Sequence, residues 1–171
     1  MFRIVALVAA AAAAVAVTAA PASARTLVLP TYSITGIETG VPQDGVSPFA
    51  GVASSRLGGA VWKASVPHDS LSLCTHPGVD PCSHVTAGGS FSLSGLFVRV
   101  QGSFLTGGPI RLVSGDPVGC TTSTSVYSVS GQVQLSTGGT ATFAALLTHY
   151  QVPLLGACVP YFATVTGTFG P

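Results

Sequence analysis

The sequence predicts an all-β, antiparallel fold of about eight strands, closed into a small barrel and stapled by disulfides. Three observations carry this. Apolar and polar residues alternate with period two through most of the chain after residue 26, with no stretch of helical periodicity there. Gly, Pro and Ser clusters punctuate the runs at the spacing of short strands. Charged residues make up only 6% of the chain, including a single lysine, Lys63. Open sheet edges are normally guarded by charge, lysine above all, and a closed sheet has no edges to guard. A sandwich with short or covered edges is the alternative.

The first element is not part of the fold. Arg3, an unbroken apolar run from Ile4 to Val17 and the small-residue site Ala22-Ser23-Ala24 read as a cleaved secretory signal peptide over residues 1–24. Residues 25–171 then form one all-β domain. The apolar run is short and alanine-rich for a span of about 20 residues, and no later stretch is apolar enough to cross a membrane. Absence of asparagine and abundance of Ala, Gly, Val and Pro suggest a high-GC bacterial source.

Strands are expected at 26–38, 49–55, 59–66, 89–100, 109–114, 126–135, 140–149 and 159–169. The clearest is 126–135, where Tyr127, Val129, Val133 and Leu135 share one face with Gly131. After the turn Ser136-Thr137-Gly138-Gly139, the inward face of the next strand reads Ala141, Phe143, Ala145, Leu147. The last carries Val159, Tyr161, Ala163, Val165 and Phe169 on one side and threonines on the other. In 89–100 the apolar parity switches at Gly95, from Phe91 and Leu93 to Leu96, Val98 and Val100, as a β-bulge would produce.

Charge excludes whole function classes. In residues 25–171, Arg25, Arg56, Lys63, Arg99 and Arg111 balance Glu38, Asp44, Asp69, Asp80 and Asp116. Nothing is clustered to displace phosphate counterions, so nucleic acid is not a partner, and anionic membranes are not bound electrostatically. No Gly-x-Ser-x-Gly, phosphate-loop or His-Glu-x-x-His motif is present, and no cofactor is indicated. Protein partners leave no signature.

The densest constellation is Cys74-Thr75-His76 and Cys82-Ser83-His84, a doubled Cys-x-His. On two hairpin arms Cys74, His76, Cys82 and His84 could converge as a tetrahedral zinc set. In an oxidising compartment Cys74 and Cys82 instead form a disulfide around Pro77-Gly78. Cys120 would then pair with Cys158, although next-nearest strands in a meander lie about 9.6 Å apart and a disulfide needs Cα atoms within about 7 Å. Either a strand end curls over the barrel mouth or the strand order is not a simple meander. Cross-pairings stay open, since four cysteines allow three connectivities. His68, His76 and His84 also recur every eight residues, a spacing that could serve a three-histidine metal site.

His149 continues the inward stripe of Phe143 and Leu147, and Trp62 lies on one parity with Ala60, Ala64 and Val66. Trp62, Phe143, His149 and Tyr161 are therefore the candidate lining of a small apolar cavity. The chain reads first as a non-catalytic exported protein, acting at the cell envelope or extracellularly and binding a small apolar ligand at the Trp62/His149 end. The alternatives are a barrel-type isomerase, cyclase or hydrolase using His149 with Tyr150, Tyr161 or Asp116, and a metal module built on the doubled Cys-x-His. An outer-membrane barrel fits poorly, because its outer face needs a continuous apolar band where this chain has Ser and Thr.

Overall fold

A computed structural model of the chain describes residues 29–40, 45–78 and 80–171. The signal-peptide reading of 1–24, and the start of the strand expected from 26, lie outside the described residues. The protein is all-β and antiparallel, with ten strands: β1 Tyr32–Glu38, β2 Val46–Ser55, β3 Gly58–Pro67, β4 Ser83–Val85, β5 Gly88–Gly95, β6 Arg99–Phe104, β7 Gly108–Ser114, β8 Thr124–Leu135, β9 Thr140–Leu154 and β10 Ala157–Gly170. A single 3-10 turn, Leu71–Leu73, interrupts them among the described residues.

All ten strands belong to one hydrogen-bonded sheet, which closes on itself rather than stacking as two layers. The order β8-β6-β5-β3-β2-β1-β10-β9 returns to β8, making a ring of eight, with β7 and β4 branching from β8. The branch follows from the length of β8. Its last residues, Val133–Leu135, pair with β6, while Val126–Val129 pair with β7 on the same edge. β3 divides likewise: Ala60–Ser65 pair with β5, and His68 just beyond its end bridges Val85 of β4. Pro67 O accepts from Thr86 N at 3.0 Å, and Asp69 N donates to His84 O at 3.0 Å, extending that junction. At one end of the ring β4 and β7 thus take the place that β5 and β6 hold at the other. Nearly every strand edge finds a neighbour, which is how a chain with so few charges avoids exposed edges.

The inward stripes fill the two ends differently. At the Phe169 end the interior is solid. Phe91 stacks on Phe169 with centroids 4.2 Å apart, Phe104 meets Phe91 edge-on at 6.5 Å, and Tyr32, Leu93 and Val133 are fully buried around them. Each such side chain contributes roughly 1.5–3 kcal/mol by leaving water. Trp62 lies deeper along β3, where its Nε1 donates to both Thr35 O (3.0 Å) and Val52 O (3.1 Å). The indole has room because Gly36 faces it: a Cβ there would stand 2.7 Å from Trp62 Cζ2.

Four sequence expectations change. The parity switch at Gly95 is a hairpin turn between β5 and β6, not a bulge: Gly95 N donates to Val98 O, and Leu96 and Phe97 stand in solvent. Three-residue β4 was too short to show alternation. β9 and β10 run past the ring as a projecting hairpin. On β10 the register shifts between Pro160 and Phe162, so Tyr161 is turned outward while Ala163, Val165 and Phe169 remain inside.

Both expected disulfides are present, Cys74–Cys82 and Cys120–Cys158, the latter with Cα atoms 5.3 Å apart. The spacing objection is met by a strand end that curls over. The segment before β8 folds across the end of β9, where Ser123 O accepts from Gln151 N at 3.0 Å. This carries Cys120, with φ 53°, to Cys158 on β10. No helix among the described residues is long and apolar enough to cross a membrane.

Candidate functional site

At the end opposite Phe169 the ring is not filled. A cavity of about 230 Å³ lies between the sheet walls. Phe91, Phe104 and Phe143 form its floor; Ile34, Trp62, Ala145, Leu147 and Val165 are among its walls. Phe104 and Phe143 meet edge-on at 5.4 Å, fixing the floor. The cavity exists because the inward positions at this level carry small side chains, Ala64, Val66, Val129 and Ala145, where the other end carries aromatics. Leu71, on the 3-10 turn just before the Cys74–Cys82 disulfide, and His68 also line the cavity. A dry cavity of about 150 Å³ suffices for benzene, so this one accommodates a larger skeleton of one or two rings.

The polar groups gather at one end, where the stripes of β1, β2, β3, β8 and β9 terminate. Glu38, the chain's one glutamate, faces His149, with Oε2 and Nε2 3.8 Å apart. Both side chains are largely buried, at 12% and 14% exposure. Glu38 Oε1 and His149 Nε2 have no hydrogen-bond partner among the described residues. Beside them His68 Nδ1 donates to Asp69 O at 2.7 Å, and its Nε2 lies 3.1 Å from the Ser47 hydroxyl. Tyr127 packs against the His149 ring with centroids 5.3 Å apart.

Burial governs the charges here. It raises the Glu38 carboxyl above its ordinary value of 4.5, an effect partly offset by the Ser47 hydroxyl and by His68. Burial lowers His149 below 6.5, and repulsion from His68 adds to it. The Tyr127 phenol is likewise raised by burial. Folding therefore favours a neutral carboxyl facing a neutral imidazole. For an acid whose pKa rises on folding, the stability is fully present below the unfolded value and is lost as pH rises through the folded one. Glu38→Gln should accordingly match the wild type below pH 4.5 and become progressively more stable than it above. Thermal unfolding from about pH 4 to about 8 checks this; a pH-independent difference would contradict it.

Of the residues singled out in the sequence, Trp62, Phe143 and His149 line one cavity, and Tyr161 does not. The bulge at Tyr161 leaves it 66% exposed on the outer surface. Two of the polar partners named for His149 also lie elsewhere. Tyr150 packs on Phe162 at 5.7 Å. Asp116 organises its own surface loop, accepting from Gly119 N (2.7 Å) and the Thr121 hydroxyl (2.8 Å), which hold its carboxyl below the usual 3.8. The thiolate set is gone, since Cys74 and Cys82 are joined to each other. His76 is exposed and His84 lies 3.9 Å from Asp69. Among the described residues no group of three or more His, Cys, Asp or Glu is placed to hold a metal ion.

Ser47, His68 and Tyr127 are lining residues the sequence reading did not bring together, and Glu38 meets His149 without itself lining the cavity. The signal was the same one that marked His149. Glu38 continues the parity of Tyr32 and Ile34, Ser47 that of Phe49, and His68 that of Trp62, Ala64 and Val66. The eight-residue spacing groups His68 with His76 and His84, but His76 is exposed and the His84 side chain turns to Asp69. Comparison of the chain with family models, with curated proteins and with solved structures finds no match.

Proposed function

We propose that the protein is an exported, non-catalytic binder of a small apolar ligand, working at the cell envelope or outside the cell. The observation that carries the reading is the unfilled, carbon-walled interior at one end of a sheet ring whose other end is packed solid. Interiors normally pack without such voids, and a preformed apolar pocket with a few convergent polar groups is the usual form of a ligand site. Two disulfides suit an oxidising, exported setting.

Trp62 provides the assay, being the only tryptophan and part of the wall. Titration with naphthalene should change Trp62 fluorescence saturably at one site. Ala145→Phe, which fills the cavity, should abolish that change while unfolding cooperatively. Absence of saturation in the wild type, or undiminished binding by the filled variant, would overturn the proposal.

A second reading, acid–base catalysis beside the same cavity, is favoured by the largely buried Glu38 carboxyl lying 3.8 Å from His149 Nε2. Turnover separates the two, since a binder returns its ligand unchanged and an enzyme returns a product.

A further inference from the structure

We infer that the projecting β9–β10 hairpin docks on a lipid membrane, setting its Leu154-Leu155 tip into the boundary between headgroups and acyl chains. The inference stands apart from the ligand reading. From Val152 to Phe162 every residue except Cys158 is exposed, and the Tyr161 hydroxyl is the only polar side-chain group in the run. Leu154 pairs with Ala157, so the turn is Leu155-Gly156. Leu155 is wholly exposed and has φ 52°, followed by Gly156 at 81°. A two-residue turn with both positions left-handed favours Asn-Gly. The chain therefore accepts a strained backbone and full exposure to keep a leucine there.

Charge, strand edges and aromatic placement select the partner. From Pro117 to Pro171 the chain has no Asp, Glu, Lys or Arg, and Asp116, beside the hairpin's base, is taken up by its own loop. A charged partner thus finds no counterpart, while a zwitterionic surface loses nothing. The free edges are closed to another strand. β1 follows β10 only to Thr164, and β8 follows β9 only to Tyr150. Gln151 N points outward, to Ser123 O. Pro153, two residues on, faces the same edge, and Pro160, the partner of Gln151, faces the opposite one. Neither proline has an N–H to offer a second chain, and each leaves one fewer unpaired donor to carry out of water. The aromatics lie behind the tip. Tyr150 and Phe162 pack at 5.7 Å where the hairpin leaves the ring, and Tyr161 is exposed next to them. Aromatic rings sit by preference at headgroup level. Leu154 lies four residues beyond Tyr150, about 13 Å in an extended strand. That exceeds a headgroup layer of about 5–8 Å, so the leucines reach acyl chains.

The hairpin is held ready for this. Buried Gln151 at its base donates to Asp116 O (2.8 Å) and Thr122 O (3.1 Å) and accepts from Ser125 Oγ (2.9 Å), while Cys120–Cys158 ties down the other arm. Docking therefore orders little that is not already ordered. His149, next to Tyr150, lines the cavity, so a docked hairpin brings the unfilled end of the ring to the lipid.

The test is co-sedimentation of the full chain with phosphatidylcholine vesicles, with and without phosphatidylglycerol. Wild type should bind both alike. Leu154→Ser and Leu155→Asn should each bind about tenfold more weakly, the loss of one leucine from an apolar site at the low end of its usual value. Leu155→Asn should unfold no more easily than wild type, because Asn suits the left-handed position; its lost binding is then not lost fold. Leu96→Ser with Phe97→Ser, exposed residues of the β5–β6 turn at the other end of the ring, should bind as wild type does. No binding to phosphatidylcholine, binding only with phosphatidylglycerol, or an equal loss in the Leu96/Phe97 variant overturns the inference. Self-association of wild type without vesicles, abolished by Leu155→Asn, also overturns it and assigns the hairpin to a second copy of the chain.

Discussion

Phe169→Ala should lower the free energy of unfolding by about 4 kcal/mol, a large share of the 5–15 kcal/mol that holds a typical domain together. Phe169 has no exposed surface, stacks on Phe91 at 4.2 Å and is paired across the sheet with Tyr32, itself buried. β1 and β9 flank it on either side through β10, so neither wall can collapse into the space without breaking a ladder. The loss should therefore lie at the high end for a phenylalanine deletion. Urea unfolding measures it. Because Phe169 lies outside the cavity lining, the folded fraction should keep the wild-type response of Trp62 to naphthalene. A loss below about 1 kcal/mol would mean that the ring end is not the solid core described here.

Removing the second disulfide with Cys120→Ser and Cys158→Ser should cost about 4 kcal/mol, from the entropy of a chain no longer closed over 38 residues of separation. The two sulfurs sit at half-buried positions, so packing changes little and the effect acts on the unfolded chain. Unfolding by urea under non-reducing conditions should show a lower midpoint with native β-structure retained before the transition. The segment over β9 should stay in place, because Gln151 holds it through its backbone N–H and its side-chain amide. An unchanged midpoint would contradict this account of the staple.

Much of the fold was legible because alternation carries it. The inward stripes of β8 and β9, Tyr127 through Val133 and Ala141 through Leu147, lie where period two puts them. The scarcity of charge anticipated that edges would be paired, and the ring closes accordingly. What escaped was local. A four-residue turn at Gly95 and a one-residue bulge at Tyr161 both reverse parity, and parity alone does not distinguish them. Three of the four proposed cavity residues converge, yet the polar end came into view only when register showed that the stripes of β1, β2 and β3 end beside that of β9. Glu38 was visible as a lone acid in a strand pattern; nothing in one strand's sequence says which other strand it will face.

The measurement that tests the central claim most directly is where a small apolar molecule settles on the folded protein in solution. Nuclear Overhauser contacts from naphthalene should reach Ala145, Leu147 and Val165 inside the ring. Contacts confined to the exposed side chains of Leu96, Phe97, Leu154 and Leu155 would place binding on the outer surface and contradict the account.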